Sequence, residues 1–73
     1  MIEVRLLATL RQGRQKVYQL EHSSVKTVQD ILDVLDVPRS EVNIMLINGF
    51  HQKPETEVKD GDIVSLFPAV GGG

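Results

Sequence analysis

From Met1 to Leu7 the chain alternates, with Ile2, Val4 and Leu6 on one face and Glu3, Arg5 and Leu7 on the other. That period of two predicts a half-buried strand, and Ala8-Thr9-Leu10 is read as its extension. Arg11-Gln12-Gly13-Arg14-Gln15 is a polar turn, with Gly13 as the residue suited to positive φ. Alternation resumes from Lys16 to Leu20, with Val17 outward and Tyr18 or Gln19 beside it, so the two strands form a hairpin. After the connection Ser23-Ser24-Val25-Lys26, Thr27 is placed as a helix N-cap, and Asp30 falls in the first turn, where a carboxylate favours the exposed N–H groups. Val28, Ile31, Leu32 and Leu35 follow at i, i+3, i+4 and i+7, one apolar helix stripe. Gln29, Asp30, Asp33 and Asp36 face out, and Pro38 is the predicted stop.

The second half changes rhythm. Val42 to Ile47 is mostly apolar, as expected inside a sheet. Asn48-Gly49 is a type I′ hairpin signal, and Phe50-His51-Gln52 is the short return strand, closed by Pro54. Glu55 to Lys59 crosses the end of the sheet with Val58 buried, and Asp60-Gly61-Asp62 turns into a last strand, Ile63 to Phe67. The last strand can lie beside the first only by running parallel to it, with helix and crossover as the connection. The expected fold is α+β, a ubiquitin-like β-grasp: a mixed sheet of four or five strands packed on one main helix. Residues 1–67 form the domain and residues 68–73 a flexible Gly-rich tail.

That tail, Pro68-Ala69-Val70-Gly71-Gly72-Gly73, leaves directly from a core strand. Three glycines bring no side chain to pack, and their backbone can thread a narrow channel or take positive φ without steric cost. Six extended residues reach roughly 20 Å, at about 3.3 Å each. The expected tip is a free Gly73 carboxylate, ionised at neutral pH. A frayed end or linker remnant is the plainer reading of three glycines alone; their departure straight from a strand argues against it.

Composition narrows the function classes. Seventy-three residues make one small domain, and 41% hydrophobic content is enough for a core. There is no cysteine, which excludes disulfides, thiolate zinc sites, iron–sulfur clusters and cysteine nucleophiles. The longest apolar run, Ile44 to Ile47, is too short to span a membrane. With no signal peptide in view, a cytoplasmic location is the expectation. A net charge of −2 argues against general nucleic-acid binding. Residues 1–26 hold five basic and two acidic residues, and residues 27–73 three basic and eight acidic. Such a split steers a partner or is simply solvated surface.

Candidate chemistry within the body is sparse. Arg11, Arg14 and Lys16 form either a phosphate contact or a solvated hairpin tip. The helix aspartates read as an exposed acidic face rather than a metal site. His22 and His51 are expected as surface histidines without a ligand set. No nucleophile elbow or phosphate-cradling Gly-rich loop is present, so no enzyme activity is expected of the chain alone. Leu7 and Phe67 fall out of phase with the inward sets. Either they share the outer sheet face as a docking patch near the tail, with Phe50 or His51 adjoining, or strand twist buries Phe67.

Four stretches carry a resemblance: Leu6-Leu7-Ala8-Thr9-Leu10-Arg11, Ile47-Asn48-Gly49, Lys59-Asp60-Gly61-Asp62, and Leu66-Phe67-Pro68-Ala69-Val70-Gly71-Gly72-Gly73. Together they resemble the MoaD/ThiS sulfur-carrier family, which includes the small subunit of molybdopterin synthase and the thiamine sulfur carrier. The resemblance implies a carrier that binds no cofactor itself. A ubiquitin-activating-type adenylating enzyme would use ATP and magnesium to adenylate Gly73, and a sulfur donor would convert it to a thiocarboxylate. The large subunit of molybdopterin synthase, or thiazole synthase, would then receive the sulfur. Gly72 and Gly71 would thread the partner channels, and Leu7, Phe67 and His51 match partner-contacting positions. Leu7 and Leu66 stand where the molybdopterin branch favours phenylalanine, and Pro68-Ala69 where it usually has two prolines. Gly71 also occurs in thiamine-type carriers. The Phe-Pro-x-Val ending leans to molybdopterin, with thiamine synthesis, conjugation to proteins through Gly73, or an interaction module with an idle tail as alternatives.

Overall fold

The sheet is centred on the chain's last strand. In this computed structural model, which describes residues 1–69, the strands are β1 (Ile2–Leu6), β2 (Val17–Leu20), β3 (Val42–Ile47), β4 (Phe50–His51) and β5 (Ile63–Pro68), with one helix, α1 (Val28–Val34). Short 3-10 turns cover Ala8–Arg11, His22–Ser24 and Arg39–Glu41. The five strands lie in the order β2-β1-β5-β3-β4. β5 runs parallel to β1, pairing Val4 with Val64 and Leu6 with Leu66. It runs antiparallel to β3, pairing Met45 with Leu66 and Ile47 with Val64. The parallel central pair is what the helix-and-crossover connection requires, and the architecture is the expected ubiquitin-like β-grasp.

One face of the sheet holds the core. Ile2, Val4, Leu6, Met45, Ile47, Val64 and Leu66 are buried there with Val28, Ile31 and Leu32 of α1. Leu35 packs half-buried against them, so the helix stripe lies where its spacing puts it. Val58, on the crossover, is also buried. The Thr27 side chain accepts from the Asp30 amide at 3.2 Å, and the Asp30 carboxylate accepts from the Thr27 amide at 3.1 Å, a reciprocal capping box. Two more first-turn amides are taken by the crossover: Val28 donates to the Thr56 carbonyl and Gln29 to that of Pro54. The helix start is thus fully partnered, although α1 is short.

Turn chemistry at Asn48-Gly49 follows the sequence: φ is +52° and +87°, the two positive values a type I′ turn requires. Gly13 also has positive φ. Two expectations need correction. Ala8-Thr9-Leu10 does not extend β1. Ala8 turns to φ +50° and starts a 3-10 turn that drives Leu10 into the core, where it is 1% exposed. Nor does α1 continue to Pro38. Asp36 takes φ +57°; its amide donates to the Asp33 carbonyl at 3.2 Å and that of Val37 to Leu32 at 2.9 Å. This is a Schellman stop with aspartate where glycine is usual, and it buries Val37.

The last strand runs one residue past its expected end at Phe67. Pro68 still pairs with Val42, and the Ala69 amide donates to the Glu41 carbonyl at 2.9 Å. The sheet therefore holds the chain two residues past the boundary drawn at residue 67. Val70, Gly71, Gly72 and Gly73 lie outside the described residues, and so do the expectations placed on the last three.

Candidate functional site at the tail end of the sheet

The sheet's second face is turned away from α1, and the strand registers fix what it carries. Residues out of phase with the core set share it: Glu3 and Arg5 on β1, Val17 and Gln19 on β2, Ile44 and Leu46 on β3, His51 on β4, and Ile63, Ser65 and Phe67 on β5. Leu7 follows β1 in extended conformation, and its amide donates to the Leu66 carbonyl at 3.1 Å. That sets Leu7 and Phe67 side by side on adjacent strands, and Ile44 pairs with Phe67 from the other side. The row nearest the tail therefore reads Leu7, Phe67, Ile44. The next reads Arg5, Ser65, Leu46, His51.

Leu7 and Phe67 are both half-buried. Phe67 stays on the outer face and does not turn into the core. His51 is exposed on this same face, but at the sheet edge, with Leu46 between it and Ser65. Phe50 goes the other way. It pairs with the inward Ile47 and projects past the sheet edge, 71% exposed. The structure thus brings Leu7 and Phe67 together and leaves His51 two strands away.

The sequence reading missed Ile44 and Leu46. β3 is apolar on both faces, so its hydrophobicity shows no alternation, and only the register with β5 reveals which residues point outward. A register shift between Val42 and Ile44 adds a residue at Asn43 and hides the phase further.

Charge lies toward the β1–β2 side of this face. The Glu3 carboxylate accepts from the Arg5 guanidinium and, at 3.2 Å, from Gln19 Nε2. The Arg5 hydrogen bond, more than the Gln19 one, holds Glu3 below the usual glutamate range. At the opposite end of the domain the Met1 ammonium pairs with Asp60 and lowers its carboxyl in the same way. Arg11, Arg14 and Arg39 are spent on main-chain carbonyls, those of Leu6, Leu10 with Asp36, and Val42. Arg14 therefore ties the hairpin tip to the helix end, and with Arg11 engaged on Leu6 this argues against the phosphate-site reading of Arg11 and Arg14.

Beside the exit of β5 lies an open groove of about 310 Å³ between Thr9, Leu10, Gln12, Ser40, Glu41 and Ala69. Among the described residues there is no group of His, Asp or Glu that could hold a metal ion. His22 and His51 are both exposed, on separate elements. No described helix is long and apolar enough to cross a membrane. What the geometry offers is an apolar row on the outer face of the sheet, at the end where the sequence runs on into glycines.

The ThiS family model matches residues 4–73. No curated protein sequence matches the chain. Among solved structures, SAMP1 from Haloferax volcanii is 25% identical with a TM-score of 0.74, over 99% of this chain and 98% of that one. A complex of subunits 1 and 2 of molybdopterin-converting factor from Helicobacter pylori contains a chain 22% identical, TM-score 0.66, over 99% of this chain and 97% of that one. The BexX/CysO complex of Amycolatopsis orientalis contains one 24% identical, TM-score 0.69, with both chains covered completely. A family match over nearly the whole length, on a β-grasp fold, assigns the chain: it belongs to the ThiS family, among the small, non-catalytic ubiquitin-like proteins that serve as sulfur carriers or modifiers.

Proposed function

We propose that this protein is a sulfur carrier in molybdopterin synthesis and that Gly73 is its working residue. The observation that carries the reading is the apolar row Leu7, Phe67 and Ile44, laid at the sheet end from which the chain runs on to Gly71-Gly72-Gly73. Such a face gives a partner a place to seat the body while the slim tail enters its channel.

A carboxylate is a poor electrophile. The partner, a ubiquitin-activating-type adenylating enzyme, brings ATP and Mg²⁺, and the Gly73 carboxylate attacks the α-phosphate to give an acyl-adenylate and pyrophosphate. Hydrosulfide supplied by the sulfur donor then adds to the carbonyl carbon, a proton is lost and AMP leaves, giving the thiocarboxylate. If the donor is a persulfide, its outer sulfur displaces AMP to form an acyl disulfide, and a thiol attacks the donor's sulfur to release the thiocarboxylate and form a disulfide. Gly72 and Gly71 stay slim inside the channel, and His51 meets the partner at the edge of the docking face. The second partner is the large subunit of molybdopterin synthase. That a chain of this fold is found with subunit 2 in the H. pylori complex supports the pairing.

A second reading, conjugation to proteins through the same residue, is favoured by the likeness to SAMP1, called a small archaeal modifier protein. Thiazole synthesis uses the same chemistry with thiazole synthase as acceptor, and the ThiS match is compatible with it. The test is intact mass. Incubation with the cognate adenylating enzyme, Mg-ATP and a sulfur donor is expected to exchange one oxygen for sulfur. Conjugates lost on deleting Gly72 and Gly73, with no exchange, would establish the modifier instead. Transfer assays with the two acceptor enzymes then separate the cofactor branches.

A further inference from the structure

The turns Asn48-Gly49 and Asp60-Gly61-Asp62 meet at the start of β5. The Asn48 amide donates to the Ile63 carbonyl at 2.8 Å, adding a rung to the β3–β5 ladder beyond the pair Ile47–Val64. The second bond of such a rung runs from the Ile63 amide to the Asn48 carbonyl. Asn48 sits at φ +52°, outside the extended range in which a strand offers that carbonyl. Its side chain stands in: the Ile63 amide donates to Asn48 Oδ1 at 2.9 Å. Asn48 Nδ2 in turn donates to Asp62 Oδ1 at 2.9 Å, and Asp62 Oδ2 accepts from the Lys59 amide at 2.8 Å. Only the NH2 end of an asparagine can face a carboxylate, so Asp62 fixes which end of Asn48 meets Ile63.

β3 has little in its pattern to choose a register. Met45 and Ile47 are buried, whereas Ile44 is 36% exposed and shares the outer face with Leu46. A slip of one residue exchanges the two sets. Both are apolar, so burial discriminates weakly between them. The tail end of the pair gives no fixed count, because the register shifts between Val42 and Ile44, a bulge that takes up one residue. Position along β3 is therefore counted from Asn48. We propose that Asn48 and Asp62 form a register clasp, two positioning residues that set Ile44 opposite Phe67 and so assemble the outer row with Leu7. The proposal rests on the reading of that row as the partner's docking face. Without the clasp, a share of the molecules carries Met45 and Ile47 outward, and apparent affinity falls with the fraction still in register.

The clasp can be rebuilt with its ends exchanged. Asn48→Asp alone sets two carboxylates against each other and removes the Nδ2 donor. Adding Asp62→Asn restores every bond: the amide now at 62 accepts from Lys59 and donates to the carboxylate now at 48, which still accepts from Ile63. The test is steady-state adenylation of the full chain by the cognate adenylating enzyme with Mg-ATP, alongside cross-strand nuclear Overhauser contacts between Ile44 and Phe67 in the free protein. Asn48→Asp should weaken those contacts and raise KM about tenfold, as an in-register fraction of about a tenth requires. The kcat should stay within about twofold, because the reacting residue is untouched. The double variant should recover the contacts and bring KM within about twofold of the original. A folded Asn48→Asp that keeps its Ile44–Phe67 contacts, or its KM, overturns the clasp. If Asn48→Asp unfolds, the double variant decides: recovery of both contacts and KM supports the clasp, and anything less overturns it. Absence of adenylation of the unaltered protein overturns the docking reading, while the Overhauser contacts still decide the register claim separately.

Discussion

Thr27 and Asp30 cap each other: the Thr27 hydroxyl takes the Asp30 amide at 3.2 Å, and the Asp30 carboxylate takes the Thr27 amide at 3.1 Å and that of Lys26 at 2.9 Å. The backbone bond from Lys26, then that from Thr27, holds Asp30 below its ordinary value of 3.8. A lowered folded pKa means that the unfolded chain takes up the proton first. The stabilisation is therefore complete above the ordinary value and fades as pH falls through the lowered one. Urea unfolding across acid pH should show a wild-type midpoint that drops as pH falls below about 4, with a shallower drop in Asp30→Asn. Thr27→Ala should cost about 1 kcal/mol at neutral pH.

Asp36 carries the helix stop at φ +57°, a conformation costing a β-branched residue far more than glycine. Asp36→Val should lower stability by about 1–2 kcal/mol, whereas Asp36→Gly should leave it within about 0.5 kcal/mol or raise it. Chemical denaturation of the two variants checks the contrast.

On the outer face of the sheet, which we propose as the docking face, Ile44 is 36% exposed and contributes little to the core. Ile44→Ser should change stability by less than about 1 kcal/mol yet reduce kcat/KM for adenylation about tenfold, a hot-spot effect. The loss should appear in KM, because the reacting residue is untouched. Leu66→Ala removes a fully buried side chain of the central strand. It should cost about 2–5 kcal/mol, enough to unfold much of so small a domain. Thermal melts run beside the kinetics separate the two effects.

What was legible followed local chemistry. The Ile2/Val4/Leu6 alternation, the Thr27 cap, the Val28-to-Leu35 stripe and the Asn48-Gly49 turn each depend on neighbours in sequence. Parallel pairing of the first and last strands followed from chain order, and it in turn placed Leu7 beside Phe67. The failures are of two kinds. Ala8 and Asp36 take positive φ without being glycine, each just ahead of a residue the core takes in, Leu10 and Val37. The Leu10 carbonyl accepts from Arg14, which also bonds Asp36 at 3.1 Å, tying the hairpin tip to the helix end across 22 positions in sequence. The outward placing of Ile44 and Leu46, and the Ala69–Glu41 hydrogen bond, depend on strand register, which β3, apolar on both faces, does not advertise.

The central claim is that another enzyme activates the carbonyl of Gly73. Its most direct test is intact-mass measurement of the protein, and of a variant with one alanine added after Gly73, each incubated with the cognate adenylating enzyme, Mg-ATP and a sulfur donor. The account predicts a sulfur-for-oxygen exchange located on Gly73 in the first and no change in the second. Equal modification of both, or none in either, would contradict it.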